Sequence, residues 1–162
     1  MNSCCNSGAA LLGLLLISAC TETGAPAKFT AGLCQADSTP ITEIQGEAYY
    51  SPLDGSAVTV QGTVTHVIGG DGVYIEDTRQ QNTGKSSRAL FISDQSLSRS
   101  SGKGQLISVS GRVAELGSSR DKLTSLVDIK GAEVCSEHAD LPLTPVNLPM
   151  GSRSRESVEG MR

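Results

Sequence analysis

Two aromatic side chains and three cations lie near one another in the middle of the sequence. Tyr74 and Phe91 fall in apolar segments, and Arg79, Lys85 and Arg88 fall in or beside the connection between those segments. Aromatic rings stack on nucleobases and cations attract phosphate, which is how many proteins bind single strands. These five residues are the candidate nucleic-acid-binding residues. The alternative is that Tyr74 or Phe91 fills the core, because the chain has few aromatic residues.

Other groups that could do chemistry do not assemble into a recognisable site. His66 falls in one predicted strand and His138 falls beyond the last one, whereas zinc ligands usually come in short clusters. Asp71, Glu76 and Asp77 could bind a hard cation, but acids in turns are usually solvated. We therefore predict no catalytic residue and no metal ligand.

The overall charge limits what the chain can attract. Thirteen basic residues are opposed by seventeen acidic ones, so no strong positive field favours nucleic acid. The turn Gly69–Gly72 is rich in glycine, but it lacks the following helix and Lys that a phosphate-binding loop requires. Binding to phosphate would therefore depend on local cations.

Two segments share a pattern that predicts long, bent strands. Val58–Val64 and Ile107–Val113 alternate apolar and polar residues, which is the strand period. Each has a glycine on its apolar face, Gly62 and Gly111, which indicates a bulge or sharp bend. Small barrels of the OB type have bent first and fourth strands, so the sequence predicts an all-β, five-stranded OB-fold barrel. The other predicted strands are Val73–Glu76, Arg88–Ile92 and Leu123–Val134.

The amino terminus resembles a lipoprotein export signal. The apolar run Ala9–Ile17 is too short to span a bilayer but has the length of a signal-peptide core. It leads into Ile17-Ser-Ala-Cys20, which resembles a bacterial lipobox, so Cys20 is the predicted lipidation site. No Lys or Arg precedes the run, which departs from the usual signal pattern. We expect an exported, lipid-anchored protein of the cell envelope, in the outer membrane because Thr21 and not Asp follows Cys20, or an extracellular one.

Export also predicts a disulfide. Cys4 and Cys5 would leave with the signal and Cys20 would carry lipid, which leaves Cys34 and Cys135. These two flank the predicted barrel, and exported thiols tend to oxidise. We predict a Cys34–Cys135 disulfide, with two free thiols as the alternative.

The sequence predicts a short extended stretch at residues 41–46 and a short helix within residues 93–104, which the serines of that segment weaken. The predicted organisation of the chain has four parts. The predicted segments are a signal peptide (1–19), a flexible tether (20–40), the OB-fold domain (41–135) and an irregular, Pro-containing linker (136–162).

Several segments, taken in order, resemble the OB-fold module of the bacterial extracellular endonucleases. The matching segments are Ile44–Gly46, Ser51–Leu53, Val58–Thr65, Gly72–Asp77, Val109–Glu115, Leu141–Pro142, Pro145–Pro149 and Glu159–Met161. In that family the module precedes a metal-dependent domain of the endonuclease/exonuclease/phosphatase type. The resemblance implies that this domain is missing from the chain, so no catalytic residue can be transferred. A divalent metal such as Mg²⁺ would be a cofactor of that missing domain only.

Three functions follow as expectations. The first is a non-catalytic accessory module of an exported nuclease, with DNA or RNA and a downstream nuclease domain as partners. The second is a stand-alone envelope lipoprotein whose OB fold binds a small ligand, a saccharide or a protein. The third is a structural spacer that lifts a nuclease off the membrane. In each case the membrane would be contacted through the lipid on Cys20.

Overall fold

Five β-strands, two short α-helices and one 3-10 helix are present in the computed structural model, which describes residues 32–79, 85–118 and 121–138. In chain order they are the 3-10 helix Leu33–Gln35, α1 Ile41–Gln45, β1 Ala57–Ile68, β2 Gly72–Glu76, β3 Ala89–Ile92, α2 Gln95–Ser100, β4 Leu106–Ser118 and β5 Asp121–Ser136. All five predicted strands are therefore present, and each lies within a residue or two of its predicted position or extends beyond it.

The strands close into a barrel with the order β1-β2-β3-β5-β4. The long strand β1 pairs antiparallel with both β2 and β4, which closes the barrel on one side. Strand β3 pairs antiparallel with β2 and parallel with β5, and β5 pairs antiparallel with β4. A five-stranded Greek-key barrel with a helix between its third and fourth strands is the OB fold. The chain contains an OB-fold barrel, as the sequence predicts.

The two glycines of the repeated pattern lie where neighbouring backbone comes close. A Cβ atom on Gly111 would lie 2.7 Å from the carbonyl oxygen of Val127, and the register of β4 against β5 shifts at this point. A Cβ atom on Gly62 would lie 3.1 Å from the carbonyl oxygen of Glu76. Glycine therefore lets both long strands bend and remain paired.

One hydrophobic cluster fills the barrel and reaches the two short α-helices. Alternate residues of each strand point into it, as the period-two pattern requires. Its buried members are Ile41, Ile44, Val60, Val64, Val73, Ile75, Leu90, Ile92, Leu97, Ile107, Val109, Val113, Leu126 and Ala132. Because α1 and α2 contribute Ile41, Ile44 and Leu97, they belong to the same core as the strands.

Residues 41–45 form α1, and the prediction of an extended stretch there was wrong. Ile41 and Ile44 are three residues apart, and both are completely buried, which places them on one face of a helical turn. The side-chain amide of Gln45 donates a hydrogen bond of 2.5 Å to the carbonyl oxygen of Ala89 at the start of β3. Burial of the two isoleucine side chains, together with the hydrogen bond from Gln45, outweighs the preference of isoleucine for a strand.

The weak helix expected within residues 93–104 is present as α2. The Asp94 side chain accepts a hydrogen bond of 2.8 Å from the backbone amide of Leu97, which is the standard N-cap interaction. Leu97 is buried in the core. The cap and this one anchor offset the low helix propensity of the serines.

The predicted disulfide is present. Cys34 and Cys135 are joined, with their Cα atoms 5.5 Å apart. The backbone amide of Cys34 also donates to the carboxylate of Glu133, and the hydroxyl of Ser108 donates to the carbonyl oxygen of Leu33. The described part of the predicted tether, residues 32–40, is therefore attached to β4 and β5.

The remaining sequence predictions at the two termini lie outside the described residues. These are the signal peptide, the lipid site Cys20 and most of the linker 136–162. Within the described ranges, no helix combines the length and the apolar character that crossing a membrane requires.

Candidate ligand-binding cleft

Tyr74 and Phe91 lie side by side on the outside of the barrel. They are register partners across β2 and β3, and their ring centroids are 4.9 Å apart with an interplanar angle of 44°. Their strand neighbours Val73, Ile75 and Leu90 are buried in the core. Alternation along each strand therefore directs both rings outward, so neither ring fills the barrel.

An open cleft of about 630 Å³ lies over this ring pair. Its residues come from the end of β1, from the β1–β2 turn, from the outer face of β2 and β3, from the start of α2 and the residue Ser93 before it, and from the beginning of β5. They are Ile68, Gly70, Asp71, Tyr74, Phe91, Ser93, Gln95 and Leu123. The faces of the second and third strands, with the loops beside them, are where OB folds bind oligonucleotides and oligosaccharides.

The β1–β2 turn and α2 are fixed to one another. The backbone amide of Gly70 donates a hydrogen bond of 3.3 Å to the hydroxyl of Ser98 in α2. Because Asp94 caps α2 and Leu97 anchors it in the core, the turn is attached to a rigid element. Two of the elements that form the cleft are thereby positioned before any ligand arrives.

The predicted cations lie towards the opposite end of β2 from the cleft. Arg79 donates to the Asp77 carboxylate at 3.0 Å and to the Gln61 side chain at 2.6 Å. Arg88 pairs with buried Glu76 at 2.7 Å, and both side chains are almost fully enclosed.

Lys85 is exposed and lies 3.9 Å from the carboxylate of Glu47. Each of the three predicted cations therefore already has an acidic partner. The structure brings the two predicted rings together, but it does not bring the three cations to them.

Another cation, Arg99, is associated with the cleft, and sequence reasoning did not single it out as a binding residue. The guanidinium of Arg99 hydrogen-bonds the side chain of Gln95, which lines the cleft. Lys122 directly precedes Leu123, another lining residue, but successive side chains of a strand point to opposite faces, so Lys122 is directed away from the cleft. Helical spacing from Gln95 to Arg99 is the sequence signal that could have indicated this contact.

The three acidic residues considered as a cation site do not come together in the fold. Asp71 is exposed in the β1–β2 turn, Glu76 pairs with Arg88, and Asp77 pairs with Arg79. In the part of the chain that the structure describes, no three His, Cys, Asp or Glu side chains are grouped as metal ligands.

Comparison with known proteins adds distant structural neighbours. No protein-family model matches the sequence, and no curated protein matches it. A structure of the hypothetical protein ygiW from E. coli is similar, with 15% identity over 50% of this chain and 76% of that one, at a TM-score of 0.35. The Entamoeba histolytica asparaginyl-tRNA synthetase in complex with asparaginyl-adenylate is similar at 14% identity over 72% of this chain, at a TM-score of 0.37.

The chain spans 28% of the length of that synthetase. The assignment of the OB fold rests on the strand order of the barrel itself.

Proposed function

We propose that this chain is a non-catalytic binding module and that a single-stranded nucleic acid lies in the cleft over Tyr74 and Phe91. The observation that supports this is the outward-facing ring pair on the second and third strands of the OB barrel. Stacking on aromatic side chains contributes about 1–3 kcal/mol per base and tolerates any sequence. The ligand would therefore be bound mainly through its bases.

The local charge predicts only a weak contribution from phosphate. Arg99 contacts Gln95, a lining residue of the cleft, whereas Arg79 and Arg88 are engaged by carboxylates. Each phosphate neutralised on a single strand contributes about −0.7 to the slope of log affinity against log salt. One such contact gives a slope of about −0.7, which is small for a nucleic-acid-binding protein.

Removing either ring is expected to weaken binding of a labelled twelve-nucleotide oligothymidylate, measured by fluorescence anisotropy at low salt. Tyr74→Ala and Phe91→Ala should each lower the affinity roughly 5- to 150-fold, because each removes one stacking surface. Tyr50→Ala is the matched control, since Tyr50 is 53% exposed and lies outside the cleft. If all three variants bind as tightly as the wild type, the cleft is not the binding site.

An uncharged saccharide is the second candidate ligand. Asp71 lines the cleft together with the polar, uncharged Ser93 and Gln95, and such groups suit hydroxyls better than phosphates. OB folds bind oligosaccharides on the same face. Affinity for a saccharide would not change between 50 and 200 mM salt, whereas affinity for oligothymidylate should fall over that range.

The association with an extracellular nuclease and the lipid anchor are further parts of the proposal. The first is supported by the resemblance to the endonuclease OB module, and the second by the lipobox-like sequence ending at Cys20. Cys20→Ser is expected to move the full chain from the membrane fraction to the soluble fraction of an expressing bacterium. Cys4→Ser, the control, should stay with the membrane. If the wild type is already soluble, no lipid anchors it.

A further inference from the structure

A β-bulge in β1 changes which residues face the cleft side of the barrel. Val64 is the register partner of Ile75, and the next paired residue is His66, opposite Tyr74. Thr65 is therefore an extra residue in β1, and its hydroxyl donates a hydrogen bond of 3.4 Å to the carbonyl oxygen of Tyr74. A bulge of this kind shifts the phase of every residue that follows it.

The shift brings His66 to the outside. Val60 and Val64 are buried in the core, so strict alternation would direct residue 66 inward as well. Instead, His66 is exposed and the inward position passes to Val67, which packs against the core opposite buried Val73. Bulges are frequent beside binding sites, where they redirect a side chain.

His66 and the two rings of the cleft form one row across three strands. His66 is opposite Tyr74 in β2, and Tyr74 is opposite Phe91 in β3. Neighbouring strands are about 4.8 Å apart, so the row spans roughly 10 Å. Ile68, two residues beyond His66 on the same strand, lines the cleft, which places His66 at the edge of the cleft.

We propose that His66 is a third stacking ring and that the bound strand crosses β1, β2 and β3 with three consecutive nucleotides on His66, Tyr74 and Phe91. This inference rests on the proposed function, because it specifies how a single strand occupies the same cleft. The imidazole presents a flat aromatic face, which is the feature that base stacking uses. A ligand of two nucleotides would leave one ring uncovered.

The test measures how affinity depends on ligand length, using oligothymidylates of two to six nucleotides titrated into the full chain by NMR. For the wild type, the step from two to three nucleotides should raise the affinity roughly 5-fold or more, the smallest gain expected from one stacked base. His66→Thr should remove that step, because threonine has no ring. Threonine is favourable in a strand, so the variant should keep the fold. His66→Tyr should retain the step.

The controls separate this inference from the proposed function. His138→Ala changes the other histidine, which is exposed beyond β5, and should bind like the wild type. If the wild type binds but His66→Thr shows the same length dependence, the third ring is wrong and the cleft proposal stands. If the wild type binds none of the oligothymidylates, the proposed function fails and the inference fails with it. If His66→Tyr also loses the step from two to three nucleotides, an aromatic ring at position 66 is not the cause of the step, and the inference is wrong.

Discussion

Replacing both Cys34 and Cys135 by serine is expected to lower the free energy of unfolding by about 4.7 kcal/mol. The bond joins residues 101 positions apart, so it closes a loop that contains all of the barrel except the end of β5. In the chain-entropy model, a loop of about this length removes that much freedom from the unfolded chain. The loss is large compared with the roughly 5–15 kcal/mol that stabilises a typical domain.

Urea unfolding followed by circular dichroism measures this effect. Reduction of the wild type should reproduce the loss seen in the double variant, and the same reductant should not change the double variant. The barrel should still fold when the bond is absent, because its core lies within β1 to β5 and the two helices. A loss below about 1 kcal/mol would contradict the entropic explanation.

Gly111→Ala is expected to destabilise the barrel by about 2–3 kcal/mol, the second largest effect. The added Cβ atom would lie 2.7 Å from the Val127 carbonyl oxygen and 2.9 Å from the side chain of Ile129. The first of these contacts is with backbone, so it can be relieved only by moving β5 away from β4 at their bend. Hydrogen bonds of the β4–β5 ladder would weaken as a result.

Two other glycines provide a graded comparison. Gly62→Ala should cost less, about 1 kcal/mol, because its nearest contact would be at 3.1 Å and neighbouring atoms need to move only slightly. Gly69→Ala is the control, since nothing lies within 4 Å of its Cβ position. It should change the free energy of unfolding by no more than about 1 kcal/mol, or stabilise the protein. Equal losses at Gly111 and Gly69 would show that close packing at the bend is unimportant.

The barrel could be predicted from the sequence because most positions of its strands alternate between apolar and polar residues and its two long strands each carry a glycine at their bend. The helix α1 could not, since Ile41 and Ile44 favour extended backbone by themselves and become helical only when both are buried. The same limit applies to His66. The sequence has valine at both 64 and 67. Only the register of β1 against β2 shows that a bulge makes both of them face inward.

The two aromatic residues of the candidate site could be predicted from the sequence, whereas the surroundings of its cations could not. Tyr74 and Phe91 lie in strands whose pairing follows from their order, so their contact could be anticipated. Arg79 and Arg88 form ion pairs with the carboxylates of Asp77 and Glu76, and strand pairing alone does not predict these contacts. Whether a cation is available to a ligand depends on such contacts, and a linear pattern does not contain them.

The position of the disulfide also determines how the molecule responds to mechanical tension. Cys34 and Cys135 are covalently joined with their Cα atoms 5.5 Å apart, and the strands of the barrel lie in the loop between them. A pull applied between the segment before Cys34 and the segment after Cys135 passes through the sulfur–sulfur bond. Apart from the Leu106–Ser136 pair at the end of β5, the strand pairing of the barrel is outside this path, so stretching the polypeptide leaves the cleft undistorted for as long as the bond is intact.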